Sequence, residues 1–219
     1  GVRLLFDAEQ DALQDGIDSW TMEFARKYNT EPETATVYGT YQAYKKACPA
    51  VLSRHLAEAR DGNFTLGVKL VRGAYINSDP RDRFFDTKED TDVCYNGIAA
   101  SVLTRQWGTA LEGTGEFPNA SIVLATHNAE SVRRARAICD AGGAKSEIAF
   151  AQLQGMADEV SCELVEASHA NKQKTSDLPV FKYLVWGSTG ECMKYLLRRA
   201  QENKDAVQRT KSGRDAMWA

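Results

Sequence analysis

Short apolar runs alternate along this chain with longer segments in which apolar residues recur every three or four positions. The short runs predict strands and the longer segments predict helices. The predicted strands are residues 3–9, 36–44, 66–75, 121–128, 148–156 and 180–187. The predicted helices are residues 11–28, 48–61, 90–111, 129–141, 157–170 and 189–203. This alternation is typical of a parallel sheet covered by helices, and since no linker divides the chain we expect one α/β domain.

The last predicted helix carries two stripes, about 200° apart at roughly 100° per residue. The apolar stripe, which we expect to pack on a core, is Met193, Leu196, Leu197 and Ala200. The polar stripe is Tyr195, Arg198, Arg199 and Glu202. The pattern alone leaves open whether the polar stripe faces water or a ligand that pairs with two guanidinium groups. The preceding turn offers Ser188 or Thr189 as the helix N-cap.

Polar residues stand at the carboxyl ends of the predicted strands. They are Asp7, Glu9, Gln42, Arg72, His127, Asn128 and Gln152. A doubly wound sheet and a (β/α)8 barrel share this alternation, but the fingerprint G-x-G-x-x-G is absent, which weakens the dinucleotide-binding doubly wound fold. Barrel enzymes assemble their sites from several strand ends at one face. Only six of the eight units of a barrel are visible, so we expect either two units ahead of Gly1 or an open sheet.

Composition narrows the function classes. The chain has 219 residues with 43% apolar and 26% charged residues, which indicates a globular domain. A formal charge of −3 argues against a nucleic-acid binder, which would show a basic face, and we expect no nucleic-acid partner. The five cysteines lack a C-x-x-C pair, as in proteins of a reducing compartment. The three histidines are too widely separated to suggest a metal site; His55 and His169 are expected to be ordinary surface or boundary residues.

Lys69 and Arg72 lie in an apolar strand, where a bare charge would cost several kcal/mol. One interpretation is ion pairs across the sheet to Asp7 or Glu9. The other is an anionic or electron-accepting ligand above the strand ends, which Gly73 would let approach the backbone closely. The sequence does not decide between them.

Seven segments, in order, resemble the catalytic barrel of the proline dehydrogenase family. They are "DAEQ", "YQAYKKACP", "KLVRGAYI", "TDVCYN", "ATHN", "QLQGM" and "YLLRRAQEN". The residues of these segments are most similar to those of the eukaryotic, fungal branch of the family. The resemblance implies a TIM-type (β/α)8 barrel that binds FAD and that here lacks the family's first two strands. Residues 1–219 would form a single catalytic domain, the C-terminal portion of a longer protein.

The resemblance also implies roles for individual residues. Arg198 and Arg199 match the pair that grips the carboxylate of proline, which turns the polar stripe toward the site, and Glu202 matches the acid that steadies this pair. Tyr183 matches the tyrosine near ring carbon 4, and Asp7 matches a site carboxylate. The remaining walls of the substrate pocket match Tyr75, Leu153 and Tyr195. The flavin contacts match Gln42, Lys69, Arg72, Gly73, Ala74, Thr126, His127 and Asn128.

Three departures from the family pattern stand out. Lys69 replaces an arginine of the bacterial enzymes, so the charge is kept and the guanidinium fork is lost. Gln154 replaces a histidine. A lysine on the family's second strand, which helps to hold the carboxylate, has no counterpart.

The function that the resemblance implies is oxidation of L-proline to Δ1-pyrroline-5-carboxylate, the first step of proline breakdown. Electrons would pass through FAD to a quinone, and the protein would associate peripherally with the matrix side of the mitochondrial inner membrane. Two alternatives stay open. One is a 4-hydroxyproline dehydrogenase, and the other is a non-catalytic barrel fragment that acts as a binding module.

Overall fold

The computed structural model of the protein describes residues 2–73, 79–170 and 178–202, except for the side chains of residues 168–170 and 198–202. Its strands are β1 (Leu4–Phe6), β2 (Val37–Gln42), β3 (Leu66–Val71), β4 (Ala120–Ala125), β5 (Glu147–Leu153) and β6 (Val180–Tyr183). Its helices are α1 (Asp11–Tyr28), α2 (Cys48–Asp61), α3 (Lys88–Thr104), α4 (Ala129–Asp140), α5 (Asp158–Ala170) and α6 (Thr189–Glu202). The predicted alternation of strand and helix is confirmed. A short 3-10 helix at Arg81–Arg83 was not predicted.

Several element ends differ from the prediction. β1 ends at Phe6 and β3 at Val71, because the polar residues that follow leave the sheet to form the loops at its carboxyl edge. α3 ends at Thr104 rather than at residue 111. Arg105 takes a left-handed conformation there, with φ 51°, and its N–H closes the helix on the carbonyl oxygens of Ser101 and Val102.

The strands form a sheet in the order β1-β2-β3-β4-β5-β6. The pairs β1–β2, β2–β3 and β3–β4 are parallel, and Thr40 on β2 lies opposite Lys69 on β3. A parallel α/β arrangement is therefore confirmed. The chain divides into two compact units, residues 1–150 and residues 151–219, and the boundary falls within β5.

In the first unit the core lies between the sheet and its helices. Its fully buried side chains include Leu52 and Leu56 on α2, Leu70 on β3 and Ile98 on α3. Gly67 of β3 is required for this packing, because a Cβ at that position would lie 2.3 Å from the carbonyl oxygen of Val37 and 2.8 Å from Cγ of Tyr38. The absence of a side chain lets the buried Tyr38 ring lie directly against β3.

An ion pair joins two strands of the first unit that are not neighbours. Arg3, just before β1, places Nη2 2.5 Å from Oε1 of Glu147, the first residue of β5. In a flat sheet four strand spacings of about 4.8 Å would separate these strands by about 19 Å, which is more than the two side chains can span. The sheet of the first unit is therefore curved, with Arg3 and Glu147 on its concave face.

In the second unit, β6 follows β5, and the N–H of Gln154 donates to the carbonyl oxygen of Tyr183 at 3.1 Å. The apolar residues Met193, Leu196 and Leu197 of α6 are 48–60% exposed. The expectation that this stripe packs on a core is therefore wrong for the described residues.

Candidate active site

At the end of β1, Asp7 accepts a hydrogen bond from Nζ of Lys69, which lies two strands away. The Lys69 side chain is largely buried, whereas half of the Asp7 side chain is exposed. The structure thus contains the ion pair from Lys69 to Asp7 across the sheet, which was one of the two interpretations of Lys69. The pair places one cation and one accessible carboxylate at the carboxyl edge.

At the end of β2, the amide of the buried Gln42 has a fixed orientation. The hydroxyl of Tyr44 donates to Oε1 of Gln42, which assigns the amide oxygen to that side. Nε2 then donates to the carbonyl oxygen of Glu9 at 3.5 Å and to Oε1 of Gln14 at 3.4 Å. Both distances are at the long limit for a hydrogen bond, so the amide N–H groups are only weakly used.

At the end of β3, Arg72 is enclosed by protein groups. Nη1 donates to Oδ1 of Asp92 and Nη2 donates to Oγ of Ser131 at 2.8 Å. The guanidinium carbon lies 3.7 Å from the ring centroid of Tyr95. Burial lowers the pKa of Arg72, and Tyr95 and Asp92 oppose that shift. An arginine nevertheless remains charged, so β3 ends in a fixed cation.

Beyond this cation, Gly73 is exposed and has φ 78°, and among the described residues no heavy atom outside its chain neighbours lies within 4 Å of a Cβ built there. The left-handed conformation favours glycine at this position. The backbone at the end of β3 is therefore accessible to a ligand.

At the end of β4, Thr126 and Asn128 shape the start of α4. Oγ1 of the buried Thr126 accepts from the N–H of Asn128 at 3.1 Å. Asn128 is the N-cap of α4, since its Oδ1 accepts from the N–H of Ser131 at 3.0 Å. Its Nδ2 donates to Asp92 at 3.4 Å. His127, between these two residues, is exposed.

The second unit brings two of its predicted site residues together. The rings of Tyr183, at the end of β6, and Tyr195, on α6, have centroids 6.2 Å apart. Leu153 ends β5. Gln152 is buried and accepts a hydrogen bond from the hydroxyl of Ser161 at 3.0 Å.

At the start of α6, Ser188, one of the two predicted N-cap residues, is bonded to the side chain of Glu191. The N–H and the hydroxyl of Ser188 both donate to Oε2 of Glu191, at 3.0 and 2.7 Å. These bonds lower the pKa of Glu191. A glutamate three residues after the N-cap is half of a capping box and fixes the start of the helix.

Five predicted site residues fall outside what the structure describes. Ala74 and Tyr75 belong to the omitted segment 74–78. Arg198, Arg199 and Glu202 belong to the backbone of α6, but their side chains are not among those described.

Sequence reasoning missed a buried charge cluster beside these strand ends. Lys45, which follows β2, places Nζ 2.5 Å from Asp11 and 2.7 Å from Asp79. Only the position of Lys45, three residues after a buried strand, could have indicated it. The expectation for His55 was also wrong, because this side chain is buried and its Nδ1 lies 2.9 Å from the hydroxyl oxygen of Tyr41.

The described part of the chain lacks two further classes of feature. No group of three or more potential metal ligands occurs there. None of the helices described is both long enough and apolar enough to cross a membrane.

Comparison with known proteins gives one consistent result. The family model "Proline dehydrogenase" matches residues 1–212. "Probable proline dehydrogenase, mitochondrial" of Schizosaccharomyces pombe is 31% identical over 97% of this chain and 44% of its own length. "Proline dehydrogenase 1, mitochondrial" of Arabidopsis thaliana is 36% identical over 93% of this chain and 40% of its own length. "Hydroxyproline dehydrogenase" of Rattus norvegicus is 32% identical over 94% of this chain and 44% of its own length.

The chain thus spans less than half of the length of these relatives. Among solved structures, a mutant of proline utilization A (PutA) from Bradyrhizobium japonicum superposes with a TM-score of 0.71 at 26% identity, over 92% of this chain and 20% of that chain. PutA from Bdellovibrio bacteriovorus has a TM-score of 0.73 at 18% identity, over 93% of this chain and 20% of that chain, which concerns the fold alone. Because the family model matches residues 1–212, which is nearly the whole of this chain, the chain belongs to the proline dehydrogenase family.

Proposed function

We propose that this chain supplies most of the catalytic domain of an FAD-dependent enzyme that oxidises L-proline to Δ1-pyrroline-5-carboxylate. The observation that carries the proposal is the family match over residues 1–212. The polar and charged groups at the carboxyl ends of β1 to β4 support it, because barrel enzymes place their sites at that edge.

The substrate residues in this proposal are those that match the family pattern. Arg198 and Arg199 bind the carboxylate of proline, since a guanidinium fork meets a carboxylate with two parallel hydrogen bonds and stays charged at any working pH. Glu202 steadies the arginine pair, and Asp7 supplies a carboxylate near the substrate amine. The ring is enclosed by Tyr75, Leu153, Tyr183 and Tyr195. The contact between the Tyr183 and Tyr195 rings supports a shared aromatic wall.

The strand ends of the first unit suit a flavin. A flavin presents carbonyl oxygens and ring nitrogens, and the diphosphate of FAD is an anion. The matching donors are the weakly used amide of Gln42, the cations of Lys69 and Arg72, and the open backbone at Gly73. Nε of Arg72 is buried and has no hydrogen-bond partner among the described residues, so this N–H donor is not used by them. Ala74, Thr126, His127 and Asn128 complete the proposed cofactor contacts.

The chain and the cofactor would contribute different parts of the reaction. Bound FAD would accept the hydride that leaves ring carbon 5 of proline. The residues of the chain orient the substrate, exclude water with their aromatic side chains and hold the positive charge of Lys69 at the strand ends. The substrate amine must lose its proton first, and the exposed carboxylate of Asp7 is the acceptor that we propose.

For the architecture, we propose a (β/α)8 barrel completed by two further βα units beside β1, with residues 1–219 as the C-terminal portion of a single catalytic domain. Curvature of the sheet, marked by the Arg3–Glu147 pair, supports closure. So does the exposed edge of β1, where Leu4 and Leu5 are 56% and 40% exposed. An exposed apolar strand edge is a pairing hazard, which a neighbouring strand would remove.

For the cellular context, we propose a quinone as the electron acceptor and peripheral association with the matrix side of the mitochondrial inner membrane. The relatives named mitochondrial support the address.

The proposal is tested by spectroscopy and kinetics. The purified protein, reconstituted with FAD, is expected to be yellow, to lose its flavin absorbance on addition of L-proline and to reduce a soluble quinone analogue. A protein that remains colourless after reconstitution would contradict the enzyme and favour the binding module.

The arginine pair provides the substrate-specific part of this test. Replacing Arg198 or Arg199 by Met is expected to raise KM for proline by tens- to about a thousandfold, because the loss of a shielded charge pair costs roughly 2–5 kcal/mol. Lysine at either position should restore little, because it keeps the charge without the fork. Unchanged KM in both Met variants would assign the polar stripe to a solvated face.

A further inference from the structure

A cluster of side chains holds the guanidinium of Arg72, and the proposed function uses only Arg72 itself. The Arg72 cluster consists of Asp92 and Tyr95 on α3, Ser131 on α4, and Arg72 at the end of β3. Asp92 and Tyr95 are three residues apart, so they lie on the same face of α3. Both belong to the segment "TDVCYN", to which the sequence assigned no role.

Each partner is itself fixed. Tyr95 is fully buried and its hydroxyl donates to the carbonyl oxygen of Leu70 at 3.3 Å, which holds the ring beneath Arg72. Ser131 is buried in the first turn of α4. Asp92 also accepts hydrogen bonds from Lys88 and Asn128. The guanidinium plane is thereby defined by a ring face and by one hydrogen bond that each terminal nitrogen donates.

This arrangement is more than neutralisation of a buried charge. A single carboxylate would neutralise Arg72 and leave the guanidinium free to rotate. Here the two hydrogen bonds come from different helices, so β3, α3 and α4 all contribute to one orientation. A side chain that is already ordered loses less conformational entropy when a ligand binds to it.

We propose that Asp92, together with Tyr95 and Ser131, is a positioning residue that holds Arg72 in its cofactor-binding orientation. Asp92 does not touch the cofactor and acts through Arg72. This inference rests on the proposed function, in which Arg72 contacts FAD.

The test is a double-mutant cycle on FAD affinity, measured by titrating the flavin-free protein with FAD and following the quenching of flavin fluorescence. Asp92→Asn is expected to raise Kd for FAD about tenfold, because the charge-assisted bond that orients Arg72 is lost. Arg72→Met should raise Kd at least as much. The double variant should bind little more weakly than Arg72→Met alone, because the remaining bond to Asp92 from a proposed cofactor contact, Asn128 Nδ2, is long at 3.4 Å.

The control variant is Glu89→Gln, which removes an exposed carboxylate from the same end of α3 and should leave Kd unchanged. If Asp92→Asn does not fold, Ser131→Ala can take its place in the double-mutant cycle with Arg72→Met. It removes the acceptor of Nη2 and keeps the backbone N–H that Asn128 caps. Its expected effect is about threefold, and it should also vanish in the Arg72→Met background.

Three results would overturn the inference. If the factors multiply in the double variant, Asp92 acts independently of Arg72. If Asp92→Asn binds FAD as the unmodified protein does, Asp92 has no positioning role. If the unmodified protein does not bind FAD at all, the proposed function itself fails, which the titration distinguishes from the other two results.

Discussion

At the scale of single residues, His55 has a defined tautomer. Nε2 lies 3.4 Å from Nη2 of Arg54, and a guanidinium can only donate, so Nε2 is the acceptor. Nδ1 therefore carries the proton and donates to the hydroxyl oxygen of Tyr41. Protonation of Nε2 would place a second cation against Arg54 in a buried position. Burial first, and Arg54 second, lower the pKa of His55 from 6.5 to about 4.

The lowered pKa makes stability depend on pH. The unfolded chain binds a proton at His55 near pH 6.5, whereas the folded chain does so only near pH 4. His55 therefore contributes no penalty above pH 6.5, and the folded state loses stability as pH falls from 6.5 toward 4. At about pH 5 the loss should be about 2 kcal/mol.

The measurement is the free energy of unfolding in urea at pH 7 and at pH 5, for the unmodified protein and for His55→Gln. Carboxylates titrate in both proteins, so the difference between them isolates His55. An equal pH dependence in the two proteins would refute the assignment.

Tyr183 distinguishes the two enzyme functions. Under the proposed function its phenol lies against ring carbon 4 of the substrate, where hydroxyproline carries an additional hydroxyl. We expect the protein to prefer L-proline by about ten- to two-hundredfold in kcat/KM, which is the usual range for such a steric effect. Tyr183→Ser should narrow this ratio, chiefly by weakening the use of proline.

Phe181→Ser is the matched control, since it removes an aromatic ring from the same strand, two residues from Tyr183. It should affect both substrates equally. A preference of the unmodified protein for hydroxyproline, or an unchanged ratio in Tyr183→Ser, would disprove the role of Tyr183.

The sequence predicted contacts between residues only where chemistry required a partner. Lys69 in an apolar strand needed a counter-charge, and Asp7 was one of the two candidates. The half-buried partner of Arg72, Asp92, was not found in this way, because the sequence does not show where α3 lies relative to β3. His55 was assigned to the surface because a helical pattern does not reveal which loops and side chains cover each face.

At the scale of elements, the Lys45 cluster connects three of them. Lys45 follows β2, Asp11 begins α1, and Asp79 precedes the 3-10 helix. Lys45→Met would leave two carboxylates near each other without their cation, Asp79 being almost fully buried. We expect a loss of about 3 kcal/mol in the free energy of unfolding.

Lys46→Met is the matched control, because Lys46 is exposed and its pair with Asp86 is at the surface, at 3.5 Å. Its cost should stay below about 1 kcal/mol in the same urea titration. Equal losses in the two variants would mean that the Lys45 cluster contributes no more than a surface ion pair.

Element order was readable from the sequence, and element ends were less so. Strict alternation of apolar runs and helical stripes predicted each of β1 to β6 and α1 to α6. The ends at Phe6, Val71 and Thr104 depend on where the chain turns, which backbone conformation at single residues decides. The exposed face of α6 shows a further limit, because an apolar stripe predicts a partner without identifying it.

At the scale of the whole molecule, the edge of the sheet governs solubility. Leu4 and Leu5 on β1, and Leu13 and Trp20 on α1, are exposed, and β1 is an edge strand of the described sheet. We expect the 219-residue chain by itself to self-associate in sedimentation velocity experiments, and Leu4→Lys to reduce this, because a lysine on an edge strand opposes pairing.

Val93→Lys, at an exposed position on α3, tests whether any added charge has the same effect. It should leave self-association unchanged. If both lysine variants reduce association equally, the effect is one of net charge, and the edge of β1 is not the contact.

The ion pair between Arg3 and Glu147 has a consequence for the order of folding. Its partners are 144 residues apart, so it belongs to the contacts of greatest sequence separation, which form late because a large loop must close first. On the ribosome β1 is synthesised before β5, so the curvature of the sheet cannot be fixed until β5 has emerged. During that interval the apolar residues of the incomplete sheet are accessible to other nascent chains. The demand of this protein for chaperones should therefore be concentrated between the synthesis of β1 and that of β5.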